Sequence, residues 1–172
     1  MNIRIAKLND LDEINLIYIN VIKKLNENKI YMWDNEYPFC EFQNDINNLE
    51  MHIIEENNKI IGAFSICKYD YPEYNVIDWE YKDKSHIYIN RLAVSSSEQG
   101  KGYAKLGIKY IEKYAYENGF ESIRITVNEK NNPAISLYEN LGYKKVKKGV
   151  YILNDGNKLI GYEKLNIIML EI

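Results

Sequence analysis

The sequence predicts an α/β fold of the α+β type, with helices on both faces of a mixed, mainly antiparallel sheet. Strand and helix signals follow one another in the order β-α-α-β-β-β-α-β-α-β-β. Polar turns at 56–59 and 154–157 join strands into hairpins, whose strands are antiparallel. A third strand signal, at 87–94, runs through a short glycine-bearing turn directly into a helix that ends before Gly119.

The N-terminal part supplies the first strand, two helices and the first hairpin. Isoleucines alternate with other residues over 2–7, which predicts a short strand. Asp10 is the expected cap of the first helix, and Glu13 would complete a capping box. The apolar face of this helix recurs at helical spacing: Leu11, Ile14, Tyr18, Val21 and Leu25. The next predicted elements are a helix at 43–49 and strands at 51–55 and 60–69.

The C-terminal part begins with a polar, tyrosine-rich insertion at 70–85, whose order the sequence leaves open. The central helix carries an apolar stripe formed by Ala104, Ile108, Ile111 and Ala115. Asn132 is the expected cap of the last helix, with Pro133 at its favoured first position and Gly142 at its end. Further strands are predicted at 122–127, 143–153 and 158–168.

Length and composition limit the class of protein. The chain has 172 residues and no linker, repeat or low-complexity tract, so we expect one domain over 1–172. A net charge of −3 does not suggest a nucleic-acid-binding surface. Two cysteines and two histidines without metal-ligand spacing predict neither a disulfide framework nor a metal site. No signal peptide and no run of eighteen apolar residues is present, so we expect a cytoplasmic protein without a membrane span.

The turn before the central helix has a physical use. It reads Gln99-Gly100-Lys101-Gly102-Tyr103-Ala104. The first turn of a helix has unpaired N–H groups and a partial positive charge, and glycines let a ligand approach them closely. This predicts an anion site suited to phosphate, with a purely structural turn as the alternative. A Walker loop is excluded because no Gly-Lys-Ser/Thr follows, and Lys105 stands at the third glycine position of the dinucleotide pattern.

Two motifs in this order resemble those of the GNAT superfamily of N-acetyltransferases. Gln99-x-x-Gly102-x-Ala104 resembles the Q/R-x-x-G-x-G/A signature, and residues 131–143 resemble the N-x-x-A-x-x-L-Y-x-x-x-G-F/Y block. The resemblance extends from Ile3 to about Lys164 and includes the order of the elements. It implies an acetyl-CoA-dependent enzyme of the GNAT fold that acetylates a primary amine by direct transfer in a ternary complex. Family members are often dimers, and the sequence leaves the oligomeric state open.

The resemblance also implies which residues hold the coenzyme. Backbone amides of the turn would bind the pyrophosphate, through residues Gln99, Gly100, Lys101, Gly102, Tyr103 and Ala104. A bulge in the preceding strand would free backbone groups for the pantetheine arm, at residues Leu92, Ala93 and Val94. The Val94 amide is the candidate for polarising the thioester carbonyl. The Asn131 side chain would bond the coenzyme arm, with a second, redundant helix cap before Asn132 as the alternative role. Tyr138 is the candidate general acid, with a packing role as the alternative.

The position at which many relatives carry the general base differs in this chain. Many relatives carry a glutamate where this chain has Asn90, which takes no proton at neutral pH. His86 is a tentative base because histidine titrates in the useful range and alternation places residue 86 on the face of Asn90. A water chain is the other route, and the less certain carboxylates are Glu36, Asp78 and Glu80.

The acceptor is expected to be a small-molecule or peptide amine, but its identity is not readable. The aromatic segment 30–41 is the candidate wall of the acceptor site, with Asn90 as a tentative further member and these side chains from the segment: Trp33, Glu36 and Tyr37. The alternative is a loop that Trp33 and Phe39 anchor in the core. Cys40 and Cys67 fit no nucleophile pattern, so no acetyl-enzyme is expected. A non-catalytic acyl-CoA-binding or regulatory module remains the alternative function, and a nucleotide-binding phosphate-loop protein is a weaker one.

Overall fold

The computed structural model describes residues 1–166 and contains the predicted elements in the predicted order, with two added 3-10 turns, Leu8–Asp10 and Pro72–Val76. The helices are α1 Leu11–Glu27, α2 Phe39–Asn47, α3 Tyr103–Glu117 and α4 Asn132–Asn140. The strands are β1 Asn2–Ile5, β2 Met51–Glu56, β3 Lys59–Cys67, β4 His86–Val94, β5 Ser122–Asn128, β6 Lys144–Ile152 and β7 Lys158–Leu165. Residues 167 and 168 of the last predicted strand lie outside the described residues.

The strands form one sheet in the order β1-β2-β3-β4-β5-β7-β6. The pairs β1–β2, β2–β3, β5–β7 and β6–β7 are antiparallel. The pair β4–β5 is parallel, with His86 opposite Ser122. The mixed, mainly antiparallel sheet predicted from the sequence is therefore confirmed. Among residues 1–166, no helix has both the length and the apolar character that a membrane crossing requires.

The chain divides into two compact units. The first contains residues 1–66 and 90–108, and the second contains 67–89 and the described residues from 109 onward. The core of the first unit confirms the predicted face of α1, since Ile14, Tyr18 and Val21 are buried there. Trp33 and Phe39 pack against the same core, and the ring centroids of Tyr18 and Trp33 are 5.4 Å apart. Trp33 and Phe39 therefore anchor the segment 30–41 in the core, as the alternative to an acceptor-site wall predicted.

Asp10 is the N-cap residue of α1 as predicted but makes no capping hydrogen bond with its side chain, the predicted cap of α4 is wrong, and α2 has other bounds than predicted. Asp10 ends a 3-10 turn, where Oδ2 accepts from the Lys7 amide at 2.7 Å and from Arg4 at 2.8 Å. Glu13 instead accepts from the Ile60 amide at 2.9 Å. The charged donor Arg4 and the sequence-distant Ile60 amide therefore bind the two carboxylates, and the capping box between Asp10 and Glu13 does not form. Helix α4 is capped by Asn131, whose Oδ1 accepts from the Ala134 amide at 3.4 Å.

Because Asn131 holds non-helical dihedral angles, Asn132 becomes the first helical residue of α4. Helix α2 begins at Phe39, four residues before the predicted start at 43, and ends at Asn47 rather than at 49. The β2–β3 hairpin lies where it was expected. Asn57 and Asn58 turn the chain there with φ of 51° and 60°, as a tight hairpin requires.

The insertion at 70–85 is packed into the core of the second unit. Tyr74, Ile77 and Trp79 are buried with Tyr88 of β4 in one apolar cluster. Strand β6 passes so close that a Cβ at Gly149 would lie 2.2 Å from the Val76 carbonyl oxygen. The sequence left the order of this segment open because its apolar residues follow no strand or helix period.

Candidate active site

The turn between β4 and α3 has the shape that an anion site needs. Gly100 and Gly102 adopt φ of 82° and 87°, and a Cβ at either position would meet only open space. The Leu106 amide bonds to the Gly102 carbonyl at 3.1 Å, which begins the ladder of α3. Amides that precede a first helical bond have no intrahelical acceptor, so this loop presents donors at the positive end of a helix.

Side chains of the loop support its shape. Gln99 donates from Nε2 to the Val94 carbonyl at 3.1 Å, and its Oε1 accepts from Lys24 at 2.7 Å. Lys101 pairs with Glu98 at 2.8 Å, and this partner raises the pKa of the Lys101 ammonium. Tyr103 and Ala104 are half-buried at the start of α3. The side chain of Gln99 therefore braces the turn, while backbone amides are left for a ligand.

Strand β4 contains an irregularity at the position where the family resemblance implies a bulge. Arg91 has φ of 56°, a left-handed conformation that is uncommon for a residue with a side chain. Its carbonyl accepts a hydrogen bond from the buried hydroxyl of Tyr18. Its guanidinium donates to Asp45, with Nε 2.9 Å from Oδ2 and Nη2 2.7 Å from Oδ1. Ser65 also donates to Asp45 Oδ2, at 2.5 Å.

This buried network is what the sequence reasoning missed. The side chains of Arg91 and Asp45 are 1% and 2% exposed. The available signal for it was an arginine within a mainly apolar strand. The network holds the chain directly before Leu92, Ala93 and Val94, which are the residues implied to bind the pantetheine arm. The Val94 carbonyl is already occupied by Gln99, so the backbone groups of this stretch still open to a ligand are fewer than the sequence suggested.

The other predicted residues of the first unit lie around this network. Tyr37 accepts from Arg91 through its hydroxyl at 3.3 Å, and Asn90 is buried beside Arg91 in β4. Glu36 is exposed, and its amide donates to Asp34 at 2.8 Å, as does the Tyr37 amide at 2.9 Å. These backbone hydrogen bonds lower the pKa of Asp34. Tyr37 is thus joined to the bulge, whereas Trp33 belongs mainly to the core.

The second unit contains Tyr138 and Asn131. Tyr138 is 7% exposed on α4, with ring centroids of Tyr143 and Tyr162 at 6.2 Å and 6.3 Å. Burial raises the pKa of Tyr138 to about 12, so its hydroxyl keeps its proton throughout the neutral range. Because Oδ1 of Asn131 caps α4, a hydrogen bond from this side chain to a coenzyme would have to come from Nδ2.

His86 is engaged on both sides of its ring. Nδ1 lies 3.1 Å from the Lys84 carbonyl oxygen, and Nε2 lies 3.0 Å from Asp70 Oδ1. A base needs a free lone pair on one ring nitrogen, so His86 could take a proton from an amine only after one contact breaks. The carboxylate alternatives are also engaged or exposed, since Asp78 pairs with Lys82 and the side chains of Glu36 and Glu80 are exposed. Among the residues predicted from the sequence, none is therefore placed to act directly as the general base.

Known proteins resemble the chain in sequence and in fold. A rat protein, N-acetyltransferase family 8 member 2, is 30% identical over 78 residues, which are 45% of this chain and 34% of that protein. The chain therefore spans about a third of the length of this relative. A candidate acetyltransferase from Staphylococcus aureus Mu50 is 26% identical, with a TM-score of 0.74 and coverage of 97% of this chain and 100% of that one.

A second solved structure extends the comparison of folds. The Salmonella typhimurium protein yncA, solved with its cofactor acetyl-CoA, has a TM-score of 0.68 at 16% identity, over 97% of this chain and 94% of that one. At this identity the likeness concerns the fold alone. The family described as "Acetyltransferase (GNAT) family" matches residues 18–143, well over half of the sequence. The chain therefore belongs to the GNAT family of acetyltransferases.

Proposed function

We propose that the protein is an acetyl-CoA-dependent N-acetyltransferase that transfers acetyl to a primary amine by direct attack in a ternary complex. The observation that carries the proposal is the left-handed Gly100–Gly102 turn, whose amides stand at the start of α3 with open space beside both glycines. These amides fit a pyrophosphate, which is the anionic part of the coenzyme. We further expect a small-molecule or peptide acceptor, no metal requirement and a cytoplasmic location, as the sequence alone suggests.

Acetyl-CoA would supply the activated acetyl thioester. The backbone amides of residues 100–104 would hold its pyrophosphate, and the Val94 amide would donate to the carbonyl oxygen as negative charge develops there. The amine nitrogen forms the new C–N bond while the C–S bond breaks. Tyr138 would give its proton to the departing thiolate and recover one from solvent. With a pKa of about 12, the hydroxyl carries its proton at every pH at which the amine is available, so a proton is present to be donated.

The amine must lose a proton, and we propose that water accepts it. Primary amines have a pKa near about 10, so most of the acceptor is protonated at neutral pH. Asn90 takes no proton, and both ring nitrogens of His86 already face protein oxygens. A solvent route therefore needs no rearrangement, whereas a route through His86 needs one.

A non-catalytic acyl-CoA-binding module is the second candidate function. The observation that favours it is Asn90 at the position where many relatives carry a carboxylate. Such a module would bind acetyl-CoA through the same turn but would release no CoA with any amine. Turnover, rather than binding, separates the two functions.

The test is CoA release from acetyl-CoA with a panel of amines, for the wild type, Tyr138→Phe and Tyr143→Phe. Tyr138→Phe should lower turnover by about tenfold to a hundredfold. Acetyl-CoA affinity should barely change, because the ring remains. Tyr143→Phe is the matched control, since it removes a hydroxyl from a neighbouring buried ring where the motif also accepts phenylalanine.

Three outcomes of this test are informative. Unchanged turnover in Tyr138→Phe would make Tyr138 a packing residue. Coenzyme binding without CoA release for every amine would favour the non-catalytic module. Because the Tyr138 proton is lost only as pH rises through about 12, the wild type should show no loss of turnover from this group below roughly pH 11.

A further inference from the structure

Gly62 of β3 lies against the backbone of β4 at the residues implied to bind acetyl-CoA. A Cβ at Gly62 would lie 2.8 Å from the Ala93 carbonyl oxygen and 3.4 Å from the Val94 Cα. The first of these distances is shorter than van der Waals contact, so a side chain at residue 62 would displace the carbonyl. Glycine at this position therefore allows a close approach of two backbones within the first unit.

The position of this carbonyl determines the direction of the Val94 amide. A trans peptide unit is planar, so its C=O and N–H groups point to opposite sides. Because the Ala93 carbonyl oxygen lies toward Gly62, the Val94 N–H points away from Gly62. The next peptide unit is fixed on both sides, since the Val94 carbonyl accepts from Gln99 at 3.1 Å and the following amide donates to the Ile61 carbonyl at 2.7 Å.

Tyr18 of α1 holds the other end of the same stretch. Its side chain is fully buried, and burial raises the pKa of its hydroxyl, which therefore keeps its proton and donates. The nearer of two acceptors is the Arg91 carbonyl, because the Ala63 carbonyl oxygen is 3.3 Å away. By the same planarity, the Leu92 N–H points away from the Tyr18 hydroxyl. The left-handed φ of Arg91 is unfavourable for a residue with a side chain, so this peptide unit needs contacts that hold it.

We propose that Gly62 and Tyr18 are positioning residues that orient two backbone amides of β4 toward acetyl-CoA. Gly62 leaves room for the Ala93 carbonyl and thereby directs the Val94 amide to the thioester carbonyl oxygen. Tyr18 holds the Arg91 carbonyl and thereby directs the Leu92 amide to the pantetheine arm. This inference rests on the proposed function, in which the Val94 amide polarises the thioester.

The two residues should affect different steps. Negative charge develops on the thioester oxygen only during transfer, so a misdirected Val94 amide lowers kcat. The pantetheine arm is held before and during transfer alike, so a misdirected Leu92 amide weakens acetyl-CoA binding and raises its KM. A role in folding alone would not divide kcat and KM between Gly62 and Tyr18 in this way.

Gly62→Ala tests the orientation of the Val94 amide. With an amine that releases CoA, kcat should fall by about tenfold to a hundredfold, while KM for acetyl-CoA stays near the wild-type value. Infrared spectra of bound acetyl-CoA, isotopically labelled at its acetyl carbonyl and recorded without an amine, report the hydrogen bond directly. The carbonyl stretching frequency should be higher in Gly62→Ala than in the wild type. Loss of folded protein cannot imitate this shift, because only bound coenzyme is compared.

Gly107→Ala is the matched control. A Cβ at Gly107 would lie 3.4 Å from Ile54 Cδ1, the atom that lies 3.3 Å from a Cβ at Gly62, but its three nearest atoms all belong to side chains. It should leave kcat, KM and the carbonyl frequency unchanged. The double variant Gly62→Ala/Ile54→Val lacks Cδ1, which relieves crowding in the core, and keeps the contact with the Ala93 carbonyl. It should therefore behave like Gly62→Ala.

Tyr18→Phe removes only the hydroxyl. Calorimetry should show acetyl-CoA binding weakened by about threefold to tenfold, as expected for one hydrogen bond, while kcat at saturating coenzyme and the carbonyl frequency stay near the wild-type values.

Three results would overturn the proposal. They are wild-type kcat and carbonyl frequency in Gly62→Ala, recovery of both in the double variant, and a Tyr18→Phe protein that loses kcat without losing coenzyme affinity. Failure of the proposed function looks different. No amine would then release CoA from the wild type, whereas the carbonyl frequency and the coenzyme affinity would still respond to Gly62→Ala and Tyr18→Phe.

Discussion

Asp45→Asn tests the buried network that holds the irregularity in β4. Asp45 and Arg91 are 2% and 1% exposed, and the asparagine would leave the guanidinium buried without a countercharge. Removing one partner of such a pair typically costs about 3–5 kcal/mol, because the remaining charge is neither solvated nor paired. Arg91 also has φ of 56°, so its backbone has no conformational preference of its own for this geometry. We therefore expect the free energy of unfolding to fall by about 3–5 kcal/mol.

Urea denaturation of the wild type and Asp45→Asn measures this change directly. For a chain of this length, each kcal/mol shifts Tm by roughly 2–4 °C, so a parallel thermal scan should show a drop of about 6–20 °C. The matched control is Glu121→Gln, which breaks the Lys84–Glu121 pair at 2.8 Å. Those side chains are 48% and 51% exposed, so water solvates the remaining charge and stability should change little.

A loss of stability in Asp45→Asn no greater than that in Glu121→Gln would refute the reasoning. It would mean that Arg91 finds another partner or reaches solvent when the carboxylate is gone. An unchanged Tm together with an unchanged urea slope would make this conclusion firm, because the slope reports the surface exposed on unfolding.

Two further predictions concern the loop and the base. Gly102→Val should weaken acetyl-CoA binding by about tenfold or more, since a branched side chain would stand between the loop amides and the pyrophosphate. Gly156→Val is the control, because Gly102 and Gly156 both have left-handed φ, 87° and 81°, with open space at Cβ. Unchanged affinity for acetyl-CoA in Gly102→Val would contradict the assignment of the loop as the pyrophosphate site. His86→Ala should change the rate at saturating amine only slightly, and kcat/KM should keep rising with pH toward the pKa of the free amine. A loss of about a hundredfold, with a flattened pH profile, would instead identify His86 as the base.

Local patterns in the sequence predicted most of the fold. The period of apolar residues placed every helix and strand in order, because side-chain periodicity reflects which face of an element is buried. The paired asparagines predicted the first hairpin for a local reason as well, because tight turns need residues that tolerate positive φ. Caps were less predictable. Asp10 and Glu13 have the right spacing for a capping box, but Arg4 and the Ile60 amide, brought close by folding, engage them instead.

The sequence by itself determined the family motifs, the glycine turn and the tyrosine on α4, because each depends on residues close together in the chain. Only the tertiary structure decided which charges meet. Asp45 reaches Arg91 across 46 positions, and Asp70 meets Tyr88 across 18. It also showed that the insertion at 70–85 closes a cavity over β4 and β5. Such partners follow from the packing of distant segments, and no local period or spacing encodes that packing.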